Sequence, residues 1–291
     1  MKTTNKHNLP AVIVQFLKHF DQQQAVEGLR VSTLIGSARV PVLKSVYFDK
    51  IETDVSDRAM TAFGSAVHLW FEHTVKVMQN PSVLTEQRLS VDAHGVKVTG
   101  QIDYQEYKLS EYVDKGVSVA IKDVKTCATY KIIKGDYKDW ENQLNVYAWL
   151  VRHAKNLKVD SLAVIAFMKD WKANDKPDNP SCAAQEIPIK LWTEKEQDDY
   201  VEDRVRKHTR ASFEHLPLCT DEERWLVDSR LFAVHENKNS RAKRLFATEE
   251  ESEQYVGDNK SLNIQKRKPV FRKCAKWCDV SQFCDQYQEV L

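Results

Sequence analysis

No stretch of this sequence is long and apolar enough to span a bilayer, and the opening residues Met1-Lys-Thr-Thr-Asn-Lys-His-Asn-Leu-Pro10 contain no apolar signal core. The expected setting is therefore the cytoplasm, with no membrane partner. Neither charge is in excess: Lys and Arg number 43 against 42 for Asp and Glu. That balance excludes bulk attraction to a polyanion, so any nucleic-acid contact has to come from local patches. There is no internal repeat. Cysteine is absent before position 127, and half of the 6 present fall in the last 18 residues. Clustered thiols in a reducing compartment are metal ligands or free residues more often than disulfides.

What is present is a run of polar groups in a fixed order: Gly64-x-x-x-His68, Glu86, Gly100-x-x-Asp103, Asp123-x-Lys125 and Gln143-x-x-x-Tyr147. Val117-Ser-Val-Ala-Ile121 alternates as a strand does, and residues two apart on a strand share a face. A strand that starts in the core with Val117, Val119 and Ile121 thus ends with Asp123 and Lys125 side by side.

The flanking pattern predicts a short helix from Pro10 to about 22 and a Gln-rich turn after it. Irregular chain is expected over 31–48, then a long helix over about 57–79 burying Met60, Phe63, Val67, Trp70, Phe71 and Val75. Strands over 83–91 and 96–104, joined by Asp92-Ala-His-Gly95, read as an antiparallel hairpin. Lys97, Thr99, Gln101 and Asp103 share one side of its second strand. A polar turn over 108–115 precedes the Asp123 strand. A helix over about 138–156 and an apolar strand over about 160–169 follow it, as in a crossover on a mixed sheet. A strand over 185–192 comes next, then a helix opened by the capping box Thr193-Glu-Lys-Glu196. Beyond Leu218 the chain turns polar, with a short strand at Leu231–Val234.

Hydrolysis of a phosphodiester needs a cation to neutralise charge developing on the phosphate, an activated water and a group that orients the attack. Asp103 and Asp123 are suited to bridge Mg²⁺ or Mn²⁺, hard ions that prefer oxygen ligands. The Val124 carbonyl offers a further oxygen. Lys125 is placed to hold or deprotonate the water and to offset transition-state charge. Gly64 and His68, four apart on a helix, share a face, so the glycine admits close approach to the sheet and His68 adds an imidazole ligand. Glu86 fits a water-mediated ligand and a solvated strand residue equally well. Gln143 and Tyr147, also four apart, aim an amide and a phenol at one place.

This ordered set resembles the RecB-like branch of the PD-(D/E)xK nuclease superfamily over roughly residues 28–160, and is similar to the CRISPR-associated adaptation nuclease. Val31-Ser-Thr-Leu-Ile-Gly-Ser-Ala-Arg39 and Ser65-Ala-Val-His68 resemble phage-encoded members. The resemblance implies a restriction-endonuclease-like α/β core, a central mixed sheet flanked by helices. It implies His68, Asp103 and Asp123 as metal ligands, Lys125 as the catalytic lysine, and Gln143 with Tyr147 as the following helix motif. The implied activity is metal-dependent exonucleolytic hydrolysis of DNA in recombination, repair or phage DNA processing, in the host cytoplasm for a phage-encoded chain. A structure-specific endonuclease and a catalytically silent DNA-binding subunit are the rival readings. A homo-oligomer or a recombination partner protein fits the class. Asp123 stands where many members carry Glu, which shortens the reach to the metal.

Cys274-x3-Cys278-x5-Cys284 resembles a C-terminal clip that holds a [4Fe-4S] cluster in several relatives, with one residue more between its first two thiols. The clip's usual upstream donor precedes the helix of Gly64, where this chain has no cysteine, so Cys219 is the candidate fourth ligand. Zinc bound by the same thiolates fits the residue types nearly as well. Reduced cysteines packed on Trp277 and Phe283 would need no metal.

Lys238, Arg241, Lys243 and Arg244, then Lys266, Arg267, Lys268, Arg272, Lys273 and Lys276, make the last 55 residues locally basic. Lys243, Arg244, Lys266 and Arg267 are the candidate phosphate contacts. Tyr130 and Trp140, with Tyr137 and Trp171, are candidates to stack bases of a frayed strand. Nothing in the chain names a base sequence, so specificity is expected for structure or ends. The expected division is an N-terminal helix over 1–27, a nuclease core over 28–215 and a cysteine-containing extension over 216–291 packed on that core.

Overall fold

The computed structural model describes residues 1–19, 27–109, 116–174, 177–227, 230–236 and 241–290. The Gln-rich turn, most of the 108–115 turn and Lys238 lie outside the described residues. The chain begins with β1 (Lys2–Thr4), α1 (Ala11–His19), β2 (Leu29–Arg30), α2 (Val31–Leu34), α3 (Arg39–Val46), β3 (Glu52–Asp54) and the long α4 (Ala59–Met78). It continues through β4 (Val83–Ala93), β5 (Val96–Leu109), β6 (Val117–Cys127), α5 (Thr129–Lys134), α6 (Lys138–Lys155), β7 (Lys158–Met168), β8 (Ala184–Ile189) and α7 (Glu194–Arg210). Last come α8 (Asp221–Arg224), β9 (Phe232–Glu236), β10 (Arg244–Phe246), α9 (Glu249–Val256), β11 (Leu262–Lys266), α10 (Arg272–Lys276) and α11 (Asp285–Gln288). The stretch over 31–48, expected to be irregular, holds α2 and α3.

Two compact units emerge, one of residues 3–36 and 53–210, the other of residues 1–2, 37–52 and 211–291. Residues 37–52, which fall inside the expected 28–215 core range, group with the C-terminal residues.

The larger unit is built on a six-stranded mixed sheet in the order β2-β5-β6-β7-β8, with β4 also paired to β5. His94 and Gly95 make the two-residue link between β4 and β5. Both have positive φ, 55° and 78°, the backbone that a tight hairpin needs to match strand twist. Strands β6 and β7 are parallel and α6 connects them, which is the predicted crossover. Helix α6 buries Trp140, Leu144, Val146 to Val151 against the sheet, where they meet Val98, Ile102, Val119 and Ile121. The Thr193–Glu196 capping box forms as read, each side chain taking the other residue's backbone N–H.

Gly100 shows why glycine is needed in the Gly100-x-x-Asp103 motif. A Cβ there would stand 2.8 Å from Leu150 Cδ1, 2.8 Å from Tyr147 Cε1 and 2.9 Å from Val31 Cγ2. Real side chains do not approach so closely, so only glycine lets α6 lie this near β5. Five residues on, Gln105 also meets α6, its side-chain carbonyl oxygen accepting a hydrogen bond from Lys155 Nζ at 2.9 Å. Strict alternation puts positions an odd number apart on opposite faces. Gln101 and Asp103 both meet Glu86, as the expected alternation requires, so strand β5 changes face between Asp103 and Gln105.

The long helix departs from its expected packing. Met60 is 55% exposed, Phe63 46% and Trp70 73%, and Ala62 is its buried residue. Val67, Phe71 and Val75 of the expected face are partly buried, and Gly64 and His68 share the stripe that lies on the sheet. Among the described residues, no helix is long and apolar enough to cross a membrane.

Candidate metal centre

The centre forms where two ladders lapse. Pairing of β4 with β5 runs through Thr85↔Tyr104 and resumes at Gln87↔Ile102, skipping the opposed pair Glu86 and Asp103. Glu86 takes a left-handed backbone, φ 52°, a conformation that costs a non-glycine residue and recurs at ligand sites. Pairing of β5 with β6 stops at Tyr104↔Lys122, so Asp103 and Asp123 are not laddered to each other. The strands part there, and the Asp103 Oδ2 atom accepts the Val124 N–H at 2.8 Å. The side chain thus occupies a backbone donor that the fork releases.

Helix α4 delivers His68 to the same point, its Nδ1 lying 3.3 Å from Asp103 Oδ2. The imidazole also hydrogen-bonds the Val124 backbone. Ligand atoms of His68, Glu86 and Asp103 all lie within 4.8 Å of one another, so these residues can hold a metal ion. Gly64 sits one turn earlier on α4, facing Thr126. A Cβ there would meet Thr126 Oγ1 at 3.4 Å, so an alanine would just touch the strand.

Asp123 is almost wholly buried at 2% exposure and lies beside the triple rather than within it. Lys125 Nζ approaches its Oδ2 at 2.7 Å, and Gln143 Nε2 donates to its Oδ1 at 3.2 Å. Gln143 also donates to the Tyr147 hydroxyl at 2.9 Å, so the two helix residues act as one arm. Asp123 Oδ2 is buried, and the Lys125 ammonium beside it is the cation that compensates its charge.

The electrostatics point the same way. Burial, then the neighbouring Asp123 charge, pushes the Asp103 carboxyl up to about 8. Burial likewise raises Glu86, although a hydrogen bond from Gln101 works against it. Burial also lowers His68, which favours the neutral imidazole that metals require. For Lys125 burial pulls downward, but the Asp123 carboxylate more than offsets it and the ammonium is held. Carboxyls pushed up beside a histidine pushed down describe a site short of positive charge. Bound cations reverse that balance.

Sequence reasoning missed Gln101 and Arg88. Gln101 Nε2 donates to Glu86 Oε2 at 2.6 Å, and Arg88 donates to the Gln101 carbonyl oxygen, so the pair orients Glu86. Their signal was weak: Gln101 stands two residues before Asp103 in an alternating strand. Among the proposed base-stacking residues, Tyr130 is 62% exposed, but Trp140 is 5% exposed and stacked on Tyr137 in the core. Trp140 is therefore removed from the candidate nucleic-acid surface. The Trp171 indole is partly buried and donates to the Pro180 carbonyl at 2.8 Å.

The second unit gathers the other ligand chemistry. Cys219, Cys274, Cys278 and Cys284 line one cavity together with Arg39 and Val280. Ser37 Oγ lies 3.0 Å from Cys219 Sγ, and the buried Arg39 Nε donates to Cys284 Sγ at 3.2 Å. Arg39 is held in turn by the Leu216 and Pro217 carbonyls and by Asp285. Burial, reinforced by the other thiols, pushes Cys274 up to about 11, so without a metal that thiol keeps its proton. The free volume is about 20 Å³. Among the described residues the ligand atoms close enough to hold an ion are those of His68, Glu86 and Asp103, so the thiols would have to shift to take up a metal. Ser37 and Arg39 carried no role in the sequence reading, because their thiol partners lie 182 and 245 residues away.

The basic candidates also belong to this unit. Lys243 pairs with Glu236 at 3.1 Å, Arg244 lies over Phe246 and Tyr255, and Lys266 lies over Phe232. Arg267 is anchored by its backbone N–H to the Leu231 carbonyl.

No protein-family model matches the chain, and no curated protein matches it. Solved structures do align with it. The protein SSO0001 is 18% identical over 69% of this chain and 86% of its own, with a TM-score of 0.43. A supposed exonuclease from Eubacterium rectale is 16% identical over 68% and 79%, with a TM-score of 0.31. Likeness this loose carries no argument about activity, which rests on the geometry of the centre.

Proposed function

We propose that the chain is a divalent-cation-dependent deoxyribonuclease of the PD-(D/E)xK type, acting from DNA ends. The observation that carries this reading is the convergence of His68, Glu86 and Asp103 within 4.8 Å, beside the Asp123–Lys125 pair. His68, Asp103 and Asp123 would hold Mg²⁺ or Mn²⁺, with Glu86 and the Val124 carbonyl as further oxygen donors. Bound there, the ion supplies charge neutralisation at the scissile phosphate and a more acidic water. Lys125 keeps its proton beside Asp123 and places a positive charge where negative charge develops. Gln143 fixes the Asp123 carboxylate and the Tyr147 hydroxyl, so both are already oriented before substrate arrives.

The test is a time course on end-labelled linear DNA and on a closed single-stranded circle, each with Mg²⁺, Mn²⁺ or chelator. Release of labelled mononucleotide from linear DNA only, lost in chelator, is the expected outcome. Cutting of the circle supports an endonuclease on the same fold instead. Intact DNA under every condition removes the enzymatic reading and leaves a silent DNA-binding subunit.

A second centre is favoured by the four thiols around one cavity, and it belongs to the same reading as a structural staple. Cys219, Cys274, Cys278 and Cys284 would hold either zinc or an iron–sulfur cluster through thiolates, with Ser37 and Arg39 hydrogen-bonding the sulfurs. Metal analysis of the purified chain, read with its visible absorbance near ~400 nm, separates the two. A metal-free preparation that is fully folded contradicts both.

A further inference from the structure

Between Cys219 and Cys274 the chain makes an excursion that neither centre uses. It leaves and returns at one neck: Val227 N–H donates to the Val270 carbonyl at 2.9 Å, and Arg272 N–H to the Trp225 carbonyl at 3.1 Å. Above the neck stands a small antiparallel sheet in the order β10-β9-β11, with α9 packed against it. Residues 226–273 hold 11 Lys and Arg against 7 Asp and Glu, in a chain whose totals are 43 and 42. The chain's net positive charge therefore resides in this excursion, and the remainder is acidic.

A groove of about 500 Å³ runs between β10 and α9, lined by Arg230, Arg244, Phe246, Gln254 and Tyr255 among others. The Phe246 and Tyr255 rings stand 5.1 Å apart and are tilted by 45°. The Arg244 guanidinium lies over both, at 5.2 Å and 5.3 Å from their centroids. Arg244 and Tyr255 are exposed and Phe246 is half-buried. An exposed and a half-buried ring capped by a planar cation form a surface on which a flat π-system stacks, and the guanidinium fork pairs with phosphate oxygens. Gln254 adds an amide that reads a base edge. The groove's one carboxylate, Glu251, is engaged in the α9 capping box, where it accepts the Ala247 and Thr248 N–H groups. The acidic start of α9 confines a phosphate backbone to the Arg230–Arg244 side.

We propose that this groove holds an unpaired nucleotide of single-stranded DNA, its base stacked against Phe246 and Tyr255 and its phosphate at Arg230 and Arg244. The inference rests on the nuclease reading and narrows it: the substrate is held through a single-stranded segment, at a site separate from the metal centre. Sequence-tolerant binding follows, because every base has a π-face.

The experiment measures fluorescence anisotropy of a labelled oligothymidylate with the full chain in chelator, where no cleavage occurs. Tyr255→Ala and Arg244→Ala should each weaken binding by about tenfold, whereas Tyr255→Phe, which keeps the ring, should bind as wild type does. Affinity for a blunt duplex of equal length should change less than that for the oligothymidylate. Thermal melts establish that each variant is folded; should Tyr255→Ala unfold, Arg244→Lys, which keeps the charge and loses the planar fork, takes its place and should still weaken binding. Wild-type affinity in both alanine variants, or no binding by the wild type, overturns the proposal. Cleavage is scored separately, with Asp123→Ala and Mg²⁺, so failure of the nuclease reading leaves the binding result standing.

Discussion

The acidic centre and the thiol cavity both gather metal-ligating side chains, yet they are assembled by opposite means. His68, Glu86, Asp103, Asp123 and Gln143 sit on successive regular elements, α4, β4, β5, β6 and α6, joined by a tight hairpin and one crossover. Each ligand is aimed by the periodicity of its own element, and two lapses in strand pairing give the ligands room. The thiol cavity has little regular structure to rely on. Its cysteines lie on or beside the short helices α8, α10 and α11, and residues 37 and 39 complete it from far upstream. Order along the chain was enough to draw attention to the residues of the first. The second was visible only as a spacing of cysteines.

That contrast can be broken by substitution. Asp123→Ala or Lys125→Ala should cost at least about a hundredfold in cleavage rate. Neither should change thiol-bound metal content, measured on the same preparations. Comparable cleavage in either variant removes that residue from the mechanism, and loss of thiol-bound metal shows the centres to be coupled. Cys274→Ser should do the reverse. Loss of a structural metal is a folding loss, so the melting temperature should fall by several degrees or more, while any chain still folded keeps its cleavage rate per molecule. A melt superimposable on the wild type leaves the cavity without a metal.

Gly100→Ala sharpens the claim that packing positions the acidic centre. Its added methyl has to displace Leu150 or Tyr147, at a cost of ~1–3 kcal/mol, and should lower both stability and cleavage. An alanine variant with wild-type stability would mean that α6 moves freely. Glu86→Gln should have a smaller effect, roughly a tenfold loss of cation affinity read by Mn²⁺ titration. The same loss from Gln101→Ala would confirm that Gln101 orients Glu86.

The pH dependence is signed by Asp103. Its carboxyl is raised from an ordinary 3.8 to about 8 by burial and by Asp123. In chelator the folded chain thus holds a proton that the unfolded chain has released. The associated stability is full below the unfolded value and is lost as pH rises through about 8. Asp103→Asn should flatten that decline, melting higher than wild type at pH 9 and alike near pH 4. Parallel melting curves across this range would contradict the assignment.

Much of the larger unit was legible because periodicity and turn chemistry agree there. The β4–β5 hairpin, the β6–α6–β7 crossover and the Thr193 cap all appear near their expected residues. Three features resisted reading, each for a physical reason. Apolar spacing on α4 predicts a helix but cannot say which stripe meets the sheet, and small or polar Gly64 and His68 face it while Trp70 stays exposed. The lapse in pairing opposite Asp103 coincides with a positive φ at Glu86, which no local propensity announces. Strands β10 and β11 hold few residues each and are paired through β9, so their local patterns are too short to register.

Manganese binding tests the central claim most directly, by calorimetric titration of the wild type, Asp103→Asn and Cys274→Ser in metal-stripped buffer. The account predicts a divalent-cation site that Asp103→Asn abolishes and Cys274→Ser leaves intact. Unchanged Mn²⁺ affinity in Asp103→Asn would contradict it.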